Sequence, residues 1–164
     1  MALSQINIGA KFSPCKKYRL QLWRIWDDQL PKIMFIMLNP SSADAQRDDP
    51  TVRRCINFTK KWGYGGIYVG NLYPLISPKP KLLLRSSSVS HLDNKSNLNE
   101  MAKKCTRIVC AWGNFLIVKK LGVPDDFFLE LQHKLYYISI SKNKIPKHPL
   151  YLNGDLKMKK YLFK

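Results

Sequence analysis

Asp44, Asp48 and Asp49 set three carboxylates within one short stretch of chain, a density that could hold Mg²⁺ for phosphoester hydrolysis. The side-chain amides of Asn39, Asn71 and Asn114 and the imidazole of His148 offer both donors and acceptors, the groups that read a polar ligand edge. Lys79, Lys81 and Arg85 lie in a Pro- and Ser-rich stretch from Pro74 to Ser90 whose composition suits contact with a phosphate backbone, although a solvated surface loop explains it almost as well. Tyr73, beside Pro74, is placed to stack on a base. Cys15, Cys55, Cys105 and Cys110 form no CxxC pair and fit neither a zinc site nor a disulfide framework, so they are expected to be reduced and mostly buried. His91 and His133 read as surface residues, and Trp62 and Trp112 as core.

The elements that must position these groups follow from hydrophobic patterning. Residues 17–26 alternate apolar and polar side chains as an edge strand does, and Asp27-Asp28 ends it. The apolar run Ile33 to Leu38, stopping at Asn39-Pro40, suits a parallel strand buried on both faces. Asp49 caps and Pro50 opens a helix that runs to about Trp62, where Gly63 stops it. Ile67 to Asn71 is the second core strand, Asp93 to Cys105 a helix, and Arg107 to Trp112 the third strand. Short helices over 114–121 and 125–134 lead to a fourth strand, Leu135 to Ile140, and a basic loop reaches His148.

Strands alternating with helices imply a three-layer α/β/α fold, with a mostly parallel four-stranded central sheet and an N-terminal edge strand. Ligands in such sheets bind beyond the carboxyl ends of the strands. The groups to watch are therefore Asn39, Pro40 and Ser41 after the first strand, Asn71 to Tyr73 after the second, Trp112 to Asn114 after the third and His148-Pro149 beyond the fourth.

The 164 residues fit a single domain, 1–164, and 45% apolar residues exclude a disordered tail or a disulfide-dependent miniprotein. Against 11 acidic residues stand 28 Lys and Arg, a net charge of +17 that implies a polyanionic partner. With no long apolar run and no secretory leader, a cytoplasmic protein without membrane contact is expected.

Two resemblances rest on these residues. Leu38 to Asp44, Asp48 to Cys55 (DDPTVRRC), Trp62 to Gly66 (WGYGG), Asn71-Leu72, Ala111 to Gly113 and His148 to Tyr151 resemble a bacterial and phage domain family long catalogued as of unknown function, over about residues 10–152. In order and strand-tip position the same words are similar to those of the uracil-DNA glycosylase superfamily. That second resemblance implies a uracil-DNA glycosylase-like fold and a monofunctional DNA glycosylase, which flips a nucleotide from duplex DNA and hydrolyses its N-glycosidic bond. It implies that Asn39 orients the water, His148 hydrogen-bonds the departing base, and Asn71, with Pro40, Ser41 and Tyr73, recognises it. Asp44, Asp48 or Asp49 could add a general base; Asp44 is the candidate kept, because Asp49 reads first as a cap. The family's His-Pro motif commonly continues with Ser, whereas here Leu150 and Tyr151 follow and could fill the gap left by the flipped base. No cofactor or metal is implied, and a monomer acting on modified phage DNA is expected, with glucosylated hydroxymethylcytosine as the target. The alternatives are the Mg²⁺-dependent nuclease built on the three aspartates and a non-catalytic nucleic-acid-binding module.

Overall fold

A computed structural model describes residues 6–86 and 89–163. Its strands are β1 (Asn7–Phe12), β2 (Arg19–Ile25), β3 (Lys32–Met37), β4 (Gly66–Asn71), β5 (Arg107–Cys110), β6 (Leu135–Tyr137) and β7 (Lys159–Lys160). The helices are α1 (Pro50–Lys61), α2 (Asn94–Lys103), α3 (Phe115–Leu121) and α4 (Asp125–Glu130). The strands form one mixed sheet in the order β1-β2-β4-β3-β5-β6-β7. Its centre, β4-β3-β5-β6, is parallel, as expected from the alternation of strands and helices.

β3 shows why the run 33–38 is apolar throughout. Ile33, Phe35 and Met37 enter one core with Val52, Cys55 and Phe58 of α1. Met34, Ile36 and Leu38 enter the other with Leu98 and Met101 of α2, Ile117 of α3 and Phe127 and Phe128 of α4. Successive side chains point to opposite faces, so helices on both faces bury every residue of the run 33–38 and the fold is a three-layer α/β/α arrangement.

Several expectations change. β2 is not an edge, because β1 pairs antiparallel outside it, from Asn7 opposite Ile25 to Phe12 opposite Arg19. A Cβ at Gly9 would lie 2.2 Å from the Trp23 indole, so the residue that weakens the strand pattern is the one that lets β1 lie against β2. Lys159 and Lys160 are exposed and pair with β6, and the Lys160 ammonium sits 4.8 Å from the Tyr136 ring centroid. The basic stretch carries a 3₁₀ turn over Pro80–Arg85, anchored by the fully buried Leu83; Ser87 and Ser88 of that stretch lie outside the described residues. The fourth strand ends at Tyr137, short of Ile140, and a 3₁₀ turn at Gln132–Lys134 closes the segment expected as one helix. Cys55, Cys105 and Cys110 are buried free thiols and Cys15 is exposed. Among the described residues no helix is long and apolar enough to cross a membrane.

Candidate active site

The tips of the parallel strands converge on a cavity of about 370 Å³. Asn39, Pro40 and Ser41 reach it from β3, Asn71 from β4, Trp112 to Asn114 from β5, and His148 from the loop beyond β6. Main-chain bonds continue the ladder past the strand ends: Leu72 N–H donates to Met37 O, and Ala111 N–H to Ile36 O, each at 2.9 Å. The tips are therefore held by the sheet, a rigid base for a site.

Asn39 is fixed by its amide nitrogen, which donates to Pro40 O at 3.0 Å and to Ser77 O at 2.9 Å. With both N–H groups used, its carbonyl Oδ1 is the group left to accept from a ligand or water. His148 is held by Leu150 N–H, which donates to Nδ1 at 3.2 Å. Burial pulls its pKa below the ordinary value of 6.5, with the Asp49 charge opposing. The ring is thus neutral at pH 7, and an accepting Nδ1 places its proton on Nε2 as a donor. Beneath it, Gly113 takes φ +60°, and a Cβ there would lie 3.4 Å from the His148 backbone and Cβ.

The His148 shift fixes the sign of a stability effect. A depressed folded-state pKa contributes stability that is present above about pH 6.5, the unfolded value, and is lost as pH falls through the lower folded value. Urea unfolding from pH 8 to pH 4.5 should show His148→Gln losing less stability than the wild type over that window; equal losses would contradict it.

One lining residue was missed in the sequence, and another does more than expected. Arg19, at the start of β2, is only 4% exposed. It donates to Ala43 O at 3.1 Å and to Asn71 Oδ1 at 3.5 Å. Burial lowers its pKa to about 10, so it remains charged at neutral pH. Asp49 caps α1 as expected, accepting Val52 N–H at 2.8 Å, but it also accepts Ser41 Oγ–H at 3.3 Å and lines the cavity. Asp49→Ala should lower the unfolding free energy by about 1 kcal/mol while Asp49→Asn retains most of it, read by chemical denaturation.

Other expected site residues lie elsewhere. Asp44 is outside the cavity: its carboxylate accepts the Gln46 and Arg47 N–H groups at 2.9 and 2.7 Å and pairs with Arg47 at 3.5 Å. Asp48 pairs at 2.7 Å with Arg24 of β2. The three aspartates therefore serve three separate partners. Among the described residues no group of three or more His, Cys, Asp or Glu could hold a metal ion. Tyr73 is buried in the α2–α4 core, its hydroxyl donates to Gly122 O, and it lines a second cavity. Tyr73 is only 4% exposed and does not line the first cavity, so it is not placed to stack on a base here.

Around the mouth, Pro78 and Pro80 line the cavity and carry the exposed Lys79, Lys81 and Arg85 beside it. Leu150 is half-buried, whereas Tyr151 is 95% exposed at φ +72°, a left-handed conformation that is unfavourable for a bulky residue. Trp112 packs edge-on to Phe128 at 5.2 Å, as a core residue, yet it also faces the cavity.

A family model described as a protein of unknown function (DUF1643) matches residues 19–150, a span that contains every lining residue of the cavity. No curated protein and no solved structure matches the chain.

Proposed function

We propose that this chain, which belongs to the DUF1643 family of proteins of unknown function, is a monofunctional DNA glycosylase that removes a modified base from double-stranded DNA. The observation that carries the reading is the meeting of Asn39, Asn71, Trp112 and His148 in one cavity at the carboxyl ends of parallel strands. Their order along the chain resembles that of the uracil-DNA glycosylase superfamily.

Hydrolysis of the N-glycosidic bond passes through an oxocarbenium-like sugar and an anionic departing base. Asn39 Oδ1, with its nitrogen already committed, accepts a hydrogen bond from water and aims the water oxygen at C1′. The C1′–N bond breaks as the C1′–O bond forms. The base leaves with the bonding electron pair, and the proton lost by water balances its charge through solvent. His148, neutral with its proton on Nε2, donates to the base oxygen on which charge develops. Asp49 stands nearest to a general base by position, but its oxygens accept from Val52 and Ser41, so its part here is to cap α1 and set the cavity's charge.

A net charge of +17, with Lys79, Lys81 and Arg85 beside the mouth, supplies attraction to phosphate without sequence information. Tyr151, fully exposed near His148 in a strained backbone conformation, fills the space that a flipped nucleotide leaves. Modified cytosine in phage DNA, glucosylated hydroxymethylcytosine above all, is the target that the family resemblance suggests, and a phage-defence role follows from it.

The test is incubation in EDTA with unmodified, uracil-containing, hydroxymethylated and glucosylated DNA, followed by alkali and a denaturing gel. Alkali-dependent breaks in a modified substrate are expected. Breaks that require Mg²⁺ and no alkali would replace the reading with a nuclease, and tight binding without any break would replace it with a binding module.

A further inference from the structure

The unpartnered buried polar atoms on residues of the cavity are one-sided. Among the described residues, four buried side-chain polar atoms have no hydrogen-bond partner, and three of them belong to residues lining this cavity: Arg19 Nε, Asn71 Nδ2 and Trp112 Nε1. All three are donors. A desolvated donor without an acceptor is costly, so three in one wall indicate a ligand that supplies the acceptors.

The orientation of Asn71 has a physical cause. A guanidinium carries only donors, so the side-chain atom of Asn71 that faces Arg19 must be its oxygen, here 3.5 Å from Nη2. Nδ2 is thereby turned away from Arg19 and left unpartnered. Arg19 in turn is held by Ala43 O and has no carboxylate within ion-pair distance among the described residues. His148 adds a further donor, since its Nδ1 accepts from Leu150.

We propose that Arg19 is the positioning residue that sets the cavity's specificity: by holding the Asn71 carbonyl it leaves the Arg19–Asn71–Trp112 side of the cavity presenting donors, opposite the acceptors of Asn39 and Asp49, and so selects a base edge of adjacent acceptors. A carbonyl oxygen next to an unprotonated ring nitrogen, the edge of a cytosine-type base, meets that wall with acceptors. A uracil-type edge places a ring N–H between its carbonyls and leaves donor facing donor. The inference rests on the glycosylase reading for the statement that the ligand is a base, and deepens it by naming which edge is read.

The discriminating probes are the free bases 5-hydroxymethylcytosine and 5-hydroxymethyluracil, which carry the same 5-substituent and differ at that edge. Binding to the full chain is followed by NMR shifts of the Asn71 amide and Trp112 indole N–H signals, and excision is measured in parallel on duplexes containing each base. The wild type should bind the cytosine form about tenfold or more tightly. Arg19→Gln, which can present its own carbonyl and release Asn71, should bring the two affinities to within about twofold. Should Arg19→Gln fail to fold, Asn71→Asp places acceptors where the donor stood and should reverse the order. Equal binding of the two bases by the wild type, a uracil preference, no binding of either, or an unchanged preference in a folded variant would each overturn the inference. Loss of excision on every duplex with the binding preference intact would instead overturn the glycosylase reading alone.

Discussion

Asn39→Ala should lower base release by about a hundredfold or more while leaving DNA affinity within about twofold of the wild type. The side chain makes its two structural bonds to Pro40 O and Ser77 O through nitrogen, and its oxygen is what remains for water. Removing it withdraws orientation from the nucleophile and leaves the basic mouth at Lys79, Lys81 and Arg85 unchanged. Single-turnover excision measured beside a binding titration separates these effects. A parallel loss of binding would make Asn39 a DNA contact instead. Asn39→Asp is not a conservative alternative, because it sets a carboxylate oxygen against the two carbonyls.

Arg24→Met should cost about 3 kcal/mol of stability, or roughly 10 °C in Tm. Arg24 is 4% exposed and its guanidinium is fully used. Nε donates to Asp48 at 2.7 Å, Nη1 to Gly9 O and Trp23 O, and Nη2 to Asp44 O and Arg47 O. One side chain therefore ties β1 and β2 to the loop that runs from the Asn39 tip to the Asp49 cap. Its removal takes their Arg24 donor from Asp48 and four loop or strand carbonyls at once. Arg24→Lys should recover little, since an ammonium with three donors cannot match the planar fork. A thermal melt of both variants is the check, and a change below about 1 kcal/mol in Arg24→Met would show that the loop is held by other contacts.

The same arginine explains why part of the site was hidden in the sequence. Which of Asp44, Asp48 and Asp49 faces the cavity depends on the path of the loop, and that path is set by Arg24 on a distant strand. In β2 Arg19 and Gln21 look outward-facing by alternation and Arg24 breaks it, sharing the face of Leu20 and Leu22, but all three are buried. Gln21 is covered by Asn97 of α2, Arg19 by Ala43 and the Asn71 tip, and Arg24 by the loop from Asp44 to Asp48, all distant in sequence, while β1, which pairs outside β2, was obscured by Gly9 at its centre. Tyr73 follows Asn71 on the same strand tip, yet it ends in the α2–α4 core, where Gly122 O accepts its hydroxyl. What local pattern did reveal is the set of parallel strands and the residues just past their ends. An apolar run buried on both faces must stop where polar groups begin, and in a parallel sheet those stops share one edge. Asn39, Asn71, Trp112 and His148 were legible for that reason; Arg19 was not.

The central claim is that this cavity releases a base by water alone. The most direct measurement is mass spectrometry of the small molecules freed when the purified protein meets hydroxymethylated and glucosylated DNA in EDTA, with Asn39→Ala run alongside. The expected products are one free modified base and an equal amount of abasic sites, with neither formed by the variant. A released nucleotide, or a strand break without a free base, would contradict it.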